Sequence, residues 1–198
     1  MDPLFSSLRS TVLGHGLQIA HPARDGDCHA ACAGQWQTRR GEAVLIRPLQ
    51  AADYSRLRNF VQALSAETRY KRYLSPRTPG DEEIGRWATI DPAHEYSLVA
   101  VSPEGAGKLL GEARYVIEAA GEAELAIAIE DGCQGQGLGR ELLTRLIDAA
   151  RCHGLLRLTG IALSTNRAIL GLAQKFGFRL SRTPAAGWQT TLSLDLKP

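Results

Sequence analysis

The chain has 198 residues, 44% hydrophobic and 22% charged, with a formal net charge of +2 at pH 7. That length suits one domain with an appendage, and the near-neutral charge argues against a nucleic-acid binder, whose docking face is strongly basic. No apolar run approaches the roughly 18 residues of a membrane span. The N-terminal "MDPLFSSLRSTVLGHGLQIAH" lacks the basic-then-apolar pattern of a secretory leader, so a cytoplasmic protein that uses neither membrane nor nucleic acid is expected.

Residues 1–41 show no sustained period and read as an arm ahead of a domain spanning 42–198. In the arm, "HPARDGDCHAAC" brings His21, Cys28, His29 and Cys32 together. They would make half of a zinc site, but no second ligand pair follows at finger-like spacing, so a polar arm is the better reading and no metal is expected. Four cysteines in a chain of this length also argue against a disulfide framework.

From Ala43 the pattern sharpens. "AVLIRPL" reads as a strand ended by Pro48. Asp53 then caps a helix through about Leu64, with Leu57, Phe60, Val61 and Leu64 at helical spacing. "SAETRYKRYLSP" reads as a second helical turn, and "GDEEIGRWATI" as a third with acids in its first turn, where the helix dipole favours them. The period then changes to two. "YSLVAVS" and "KLLGEARYVIE" are strands around a hairpin loop, and "EAELAIAIE" alternates Leu125, Ile127 and Ile129 with small or acidic residues.

"CQGQGLGREL" follows, with glycines that stop where a helical stripe of Leu138, Leu142, Leu146 and Ala150 begins and runs to Gly154. "LLRLTGIAL" is a buried strand. Asn166 caps a last helix with Ile169, Leu172, Ala173 and Phe176 on one face. Gly177 ends that helix, Phe178 opens a strand, and "WQTTLSLDL" closes the chain. The order predicts a layered α/β domain with a mixed sheet, its chemistry where the 124–129 strand hands over to the glycine loop.

The first amides of a helix have no intrahelical partner, and with the dipole they attract anions. Gly135, Gly137 and Gly139 would let the loop curl so that several N–H groups converge on one phosphate, with Gln134, Gln136 and Arg140 as side-chain donors. The same glycines could be only a strand-to-helix turn. A Walker loop would need Lys-Ser/Thr after its last glycine, and Arg140 and Glu141 stand there; a Rossmann fingerprint fails at Arg140, where its third glycine would be.

Gln134-x-x-Gly137-x-Gly139 resembles the Gln/Arg-x-x-Gly-x-Gly/Ala signature of the GNAT acetyltransferases. The likeness runs over about residues 43–195, through the asparagine-led helix to the Gly177-Phe178 pair. "LSAETRYKRYLSP" is similar to the Ser-x-Glu-x-x-Tyr-x-Arg-Phe/Tyr segment of a subgroup that includes the GNAT domains of bacterial protein lysine acetyltransferases. Residues 1–41 match no part of it.

The resemblance implies a mostly antiparallel mixed sheet flanked by helices, and an N-acetyltransferase that moves acetyl from acetyl-CoA to a primary amine, either a protein lysine or a small molecule. The backbone of Ile127, Ala128 and Ile129 would pair with pantetheine. The amides from Gln134 or Gly135 through Gln136, Gly137, Leu138 and Gly139 to Arg140 would hold pyrophosphate. Asn166 would stand near the thioester or serve only as a helix cap. A strand amide near Ile127 would steady the oxyanion. Glu124 matches the subgroup's general base, with Glu122 and Glu112 as rivals. A glutamate near pKa 4.3 falls about 8 kcal/mol short of an amine near 10.4, so it needs burial or a water relay.

Many GNAT enzymes carry a tyrosine acid where Ala173 stands, and the subgroup also has alanine there. Cys133 invites covalent catalysis, but family chemistry runs without an acyl-enzyme. Trp87, Tyr70 and Tyr73 are candidates to wall the acceptor site, and the last strands for pairing across a homodimer. The competing reading is a non-catalytic acyl-CoA sensor or regulatory module.

Overall fold

The computed structural model describes residues 32–104, 107–182 and 187–196. Within them lie eight strands: β1 (Gly34–Gln37), β2 (Ala43–Pro48), β3 (Glu95–Val101), β4 (Leu109–Ala119), β5 (Glu122–Ile129), β6 (Arg157–Leu163), β7 (Arg179–Ser181) and β8 (Gln189–Asp195). Five helices accompany them: α1 (Tyr54–Ala63), α2 (Ala66–Tyr73), α3 (Asp81–Ala88), α4 (Leu138–Cys152) and α5 (Arg167–Lys175). One sheet runs in the order β1-β2-β3-β4-β5-β6-β8-β7. Every neighbouring pair is antiparallel except β5–β6.

Strand alternation sends side chains to two separate cores. On one face Ile46, Leu98, Tyr115 and Leu125 meet the α4 stripe of Leu138, Leu142, Leu143 and Leu146. On the other, Val99, Val101 and Leu109 meet Leu57, Phe60 and Val61 of α1 and Ile84 of α3. β3 is therefore covered on both sides, which is why "YSLVAV" is apolar throughout instead of alternating. Gly111 lets β4 approach closely: a Cβ there would lie 2.8 Å from Ile129 Cδ1 and 3.1 Å from Leu142 Cδ1.

Two readings change. The last residues of the arm form β1, with Trp36 opposite Val44, so position 42 falls inside a β-hairpin. Asp53 occupies the N-cap position of α1 as expected, but its side chain makes no capping bond there. It accepts from Gln50 N–H at 3.0 Å and is ion-paired to Arg47 at 2.6 Å and Arg56 at 3.0 Å, closing a capping box around the preceding 3-10 turn.

His21, Cys28 and His29 lie outside the described residues. Cys32 is a buried free thiol that donates to the Arg145 carbonyl, while Cys152 is disulfide-bonded. Among the described residues no helix is long and apolar enough to cross a membrane.

Candidate active site

β5 ends at Ile129, and a 3-10 turn at Asp131–Cys133 redirects the chain into α4. Gly135 (φ 73°) and Gly137 (φ 94°) take left-handed conformations that other residues adopt only with strain. Among the described residues, the amides of 135–140 donate to no protein acceptor. Six N–H groups at a helix start are thus left without a protein acceptor among the described residues, which is the arrangement an anion needs. Leu138 buries its side chain in the core and offers only its amide, whereas Arg140 is exposed.

The glutamine side chains, expected as ligand donors, are spent on the protein. Gln134 Nε2 donates to Ile129 O at 3.1 Å and Thr68 Oγ1 at 3.2 Å. Gln136 is buried, and with its amide oxygen turned toward Arg40 it accepts from that guanidinium at 3.0 and 3.2 Å. Asp131 completes the brace. Its carboxylate accepts from Ser65 N–H at 2.9 Å, Ser65 Oγ at 2.7 Å and Thr68 Oγ1 at 2.7 Å. Burial would raise its pKa, but these donors hold it below the ordinary aspartate value. The N-terminus of α2 is thereby fastened to the glycine loop.

β5 and β6 pair only over Glu122–Glu124 and Arg157–Thr159. Beyond them the strands part, although β5 stays paired to β4 as far as Ile129 and β6 to β8 as far as Leu163. Ile127, Ala128 and Ile129 therefore border a gap in the sheet that leads to the open amides. Asn166 lies beyond the far end of β6, where its side-chain oxygen accepts from Ile169 N–H at 3.4 Å as the cap of α5. Ala173, facing inward from α5, is 1% exposed.

Where the strands part, a cleft of about 40 Å³ opens on the α2 side, lined by Arg72, Tyr73, Leu74, Arg114, Glu124 and Ile161 among others. Tyr73 stacks on Trp87 at 5.3 Å, so Tyr73 walls the cleft and Trp87 backs it; Tyr70 is 41% exposed and does not line it. Burial pushes Glu124 up to about 7, helped by the charge and hydrogen bonding of Glu118 and opposed by Arg72. Register explains the pairing. Glu124 sits opposite Val116, and Glu118 is its diagonal neighbour beside a β-bulge between Ile117 and Ala119.

The rival acids are engaged elsewhere. Glu112 is buried, which alone would raise its pKa, but Arg114 and Arg72 together with hydrogen bonds from Arg114 and Ser97 hold it below the ordinary value. Glu122 is ion-paired to Arg157 at 3.2 Å. Cys133 donates to Glu130 at 3.3 Å, and burial with that acid pushes its thiol up to about 11, a poor setting for a nucleophile. Sequence reasoning missed Glu118, whose partnership exists only once β4 and β5 pair, and the Ser65–Thr68–Asp131 tie, which joins residues 63 to 66 positions apart.

Comparison with known proteins agrees with this geometry. The family model described as an acetyltransferase (GNAT) domain matches residues 43–179. An acetyltransferase of Pseudomonas aeruginosa is 34% identical over 159 residues, which cover 79% of this chain and 86% of that protein. Acetyltransferase Pat of Mycolicibacterium smegmatis is 33% identical over 144 residues, 71% of this chain but only 43% of the relative. The crystal structure of the GNAT domain of S. lividans PAT has a TM-score of 0.76 at 25% identity, covering 84% of this chain and 98% of that one. On the strength of the family match and of the Pseudomonas relative, this chain belongs to the GNAT family of acetyltransferases.

Proposed function

We propose that this enzyme transfers acetyl from acetyl-CoA to a primary amine, with a protein lysine as the acceptor class, by direct attack of the amine on the thioester. The observation that carries the reading is Glu124, a carboxyl without a cationic salt-bridge partner among the described residues, raised to about 7 where the strands part. The open amides of 135–140 would take the pyrophosphate, and the edge at Ile127, Ala128 and Ile129 the pantetheine. Asn166 fixes the start of α5 beside that path. The lysine preference rests on the Ser65–Tyr73 segment, which resembles that of the protein-modifying subgroup.

A lysine ammonium must lose a proton before it can attack, which costs about 4.6 kcal/mol at pH 7. An ordinary glutamate would face a mismatch of about 8 kcal/mol; at about 7, Glu124 faces roughly 4.6 kcal/mol. The cleft holds about two or three waters, enough for a relay from the amine to the carboxylate. As the C–N bond forms, a β5 amide near Ile127 would donate to the developing oxyanion. The C–S bond then breaks, and the sulfur departs as the thiolate of a thiol with a pKa near 8.5, which leaves without a tyrosine acid and takes its proton from solvent; Ala173 provides none.

Glu124→Gln tests the assignment. The expected outcome is a loss of kcat of about 10²-fold or more, with the acetyl-CoA dissociation constant unchanged, measured on lysine-bearing proteins and a panel of small amines. Undiminished turnover would move the base elsewhere. A wild-type chain that binds acetyl-CoA but acetylates no acceptor would favour a sensor module.

A further inference from the structure

We infer that Arg39 and Arg40, on the β1–β2 turn, form the seat for the 3′-phosphate of coenzyme A. The inference rests on the acetyl-CoA reading above and adds to it a part of the chain that lies outside the family match at 43–179. The turn is built to hold both arginines still. Thr38 Oγ1 accepts from Arg40 N–H and Glu42 N–H at 3.2 Å each, and Thr38 N–H donates to Glu42 O at 2.9 Å.

The turn is also docked on the glycine loop. Arg39 N–H donates to Gln136 O at 3.1 Å and Arg39 Nη1 to Gly135 O at 3.4 Å, while Arg40 holds the buried Gln136 side chain. Trp36 wedges beneath, 3.4 Å from where a Cβ on Gly137 would stand.

Charge gives this contact its purpose. The open amides and Arg140 provide for a pyrophosphate. A phosphate monoester adds nearly two further negative charges at pH 7 and needs cations of its own. Arg39 and Arg40 are both exposed, and among the described residues neither lies within salt-bridge distance of a carboxylate. Their planar forks suit a phosphate's oxygens, and their stems reach the edge of the loop where the amides stand open.

The test is the dissociation constant of CoA and of 3′-dephospho-CoA, measured on the full chain as wild type, as Arg39→Gln/Arg40→Gln and as Arg39→Lys/Arg40→Lys. The wild type should prefer CoA by about ten-fold or more, the scale of charge-assisted contacts. The glutamine pair should lose that preference through weaker CoA binding alone, with dephospho-CoA showing that the loop is intact, and the lysine pair should keep part of it. A preference that survives in the glutamine pair places the 3′-phosphate elsewhere and overturns the inference. An equal loss for both ligands also overturns it, since the arginines would then only brace the loop. A wild type that binds both ligands equally refutes this seat and leaves the acetyl-CoA reading standing; one that binds neither refutes that reading itself.

Discussion

Glu124 and Glu112 are both glutamates on central strands, yet their surroundings make them opposites. Glu124 retains its proton to about pH 7 when folded, against 4.5 ordinarily, so between those values the folded state binds more protons and stability falls as pH rises. Glu124→Gln should therefore raise the melting temperature at pH 8 relative to wild type, even as it lowers turnover, and the gain should vanish near pH 4; calorimetry at the two pH values checks it. Glu112 carries the reverse sign. Its removal leaves the buried guanidinium of Arg72, 5% exposed, without its carboxylate and leaves Arg114 with Glu95 at 3.6 Å, so Glu112→Gln should cost about 3 kcal/mol or more in denaturant unfolding. Activity has its own signature. A base must be deprotonated, so kcat/KM should climb with pH through about 7. Glu118→Gln removes a neighbouring negative charge and should move that limb to lower pH while leaving the plateau in place.

Helix α2 joins the two halves of the site. Its first turn is hydrogen-bonded to the glycine loop through Ser65, Thr68 and Asp131, and its last residues, Arg72 and Tyr73, line the cleft. It is eight residues long and ends on Leu74, held at φ 51°. A left-handed leucine costs about 1–2 kcal/mol, and the carbonyl of Tyr70 and the cleft wall hold it there. Asp131→Asn weakens three charge-assisted acceptor bonds. The expected result is acetyl-CoA binding weaker by several-fold together with a raised acceptor KM, whereas a loop acting alone would change only the first. Initial-rate measurements with each substrate varied in turn distinguish the two.

At the scale of the whole molecule, the layered α/β order and the position of the glycine loop were legible because apolar period and turn chemistry are local signals. The α4 stripe and the alternation of β5 survive in the sequence unchanged. What was hidden depended on pairing. β1 is a four-residue edge strand with one large apolar side chain, too short to show a period. Asp53 looked like a cap because of its place before a helix, but it is 1% exposed and held by two arginines, a contact that propensity does not register. Gln134 and Gln136 stand in the glycine loop, but their side chains bond to the protein itself, Gln134 from an exposed position and Gln136 from a buried one. The candidate site was legible in its backbone part, which depends on glycine and helix geometry, and illegible in its electrostatic part, which depends on β4 meeting β5.

The parting of β5 from β6 has a further consequence. A sheet with a gap is unfinished, and a bound pantetheine would complete it by supplying the missing hydrogen-bond partners. On that proposal the ligand would act as a further strand, and the empty protein carries two unpaired interior edges. Hydrogen–deuterium exchange should register this directly. Amides at the facing edges of 126–129 and 160–163 should exchange fast in the empty chain and slow on addition of acetyl-CoA, while β2 and β3, paired on both sides, stay protected throughout.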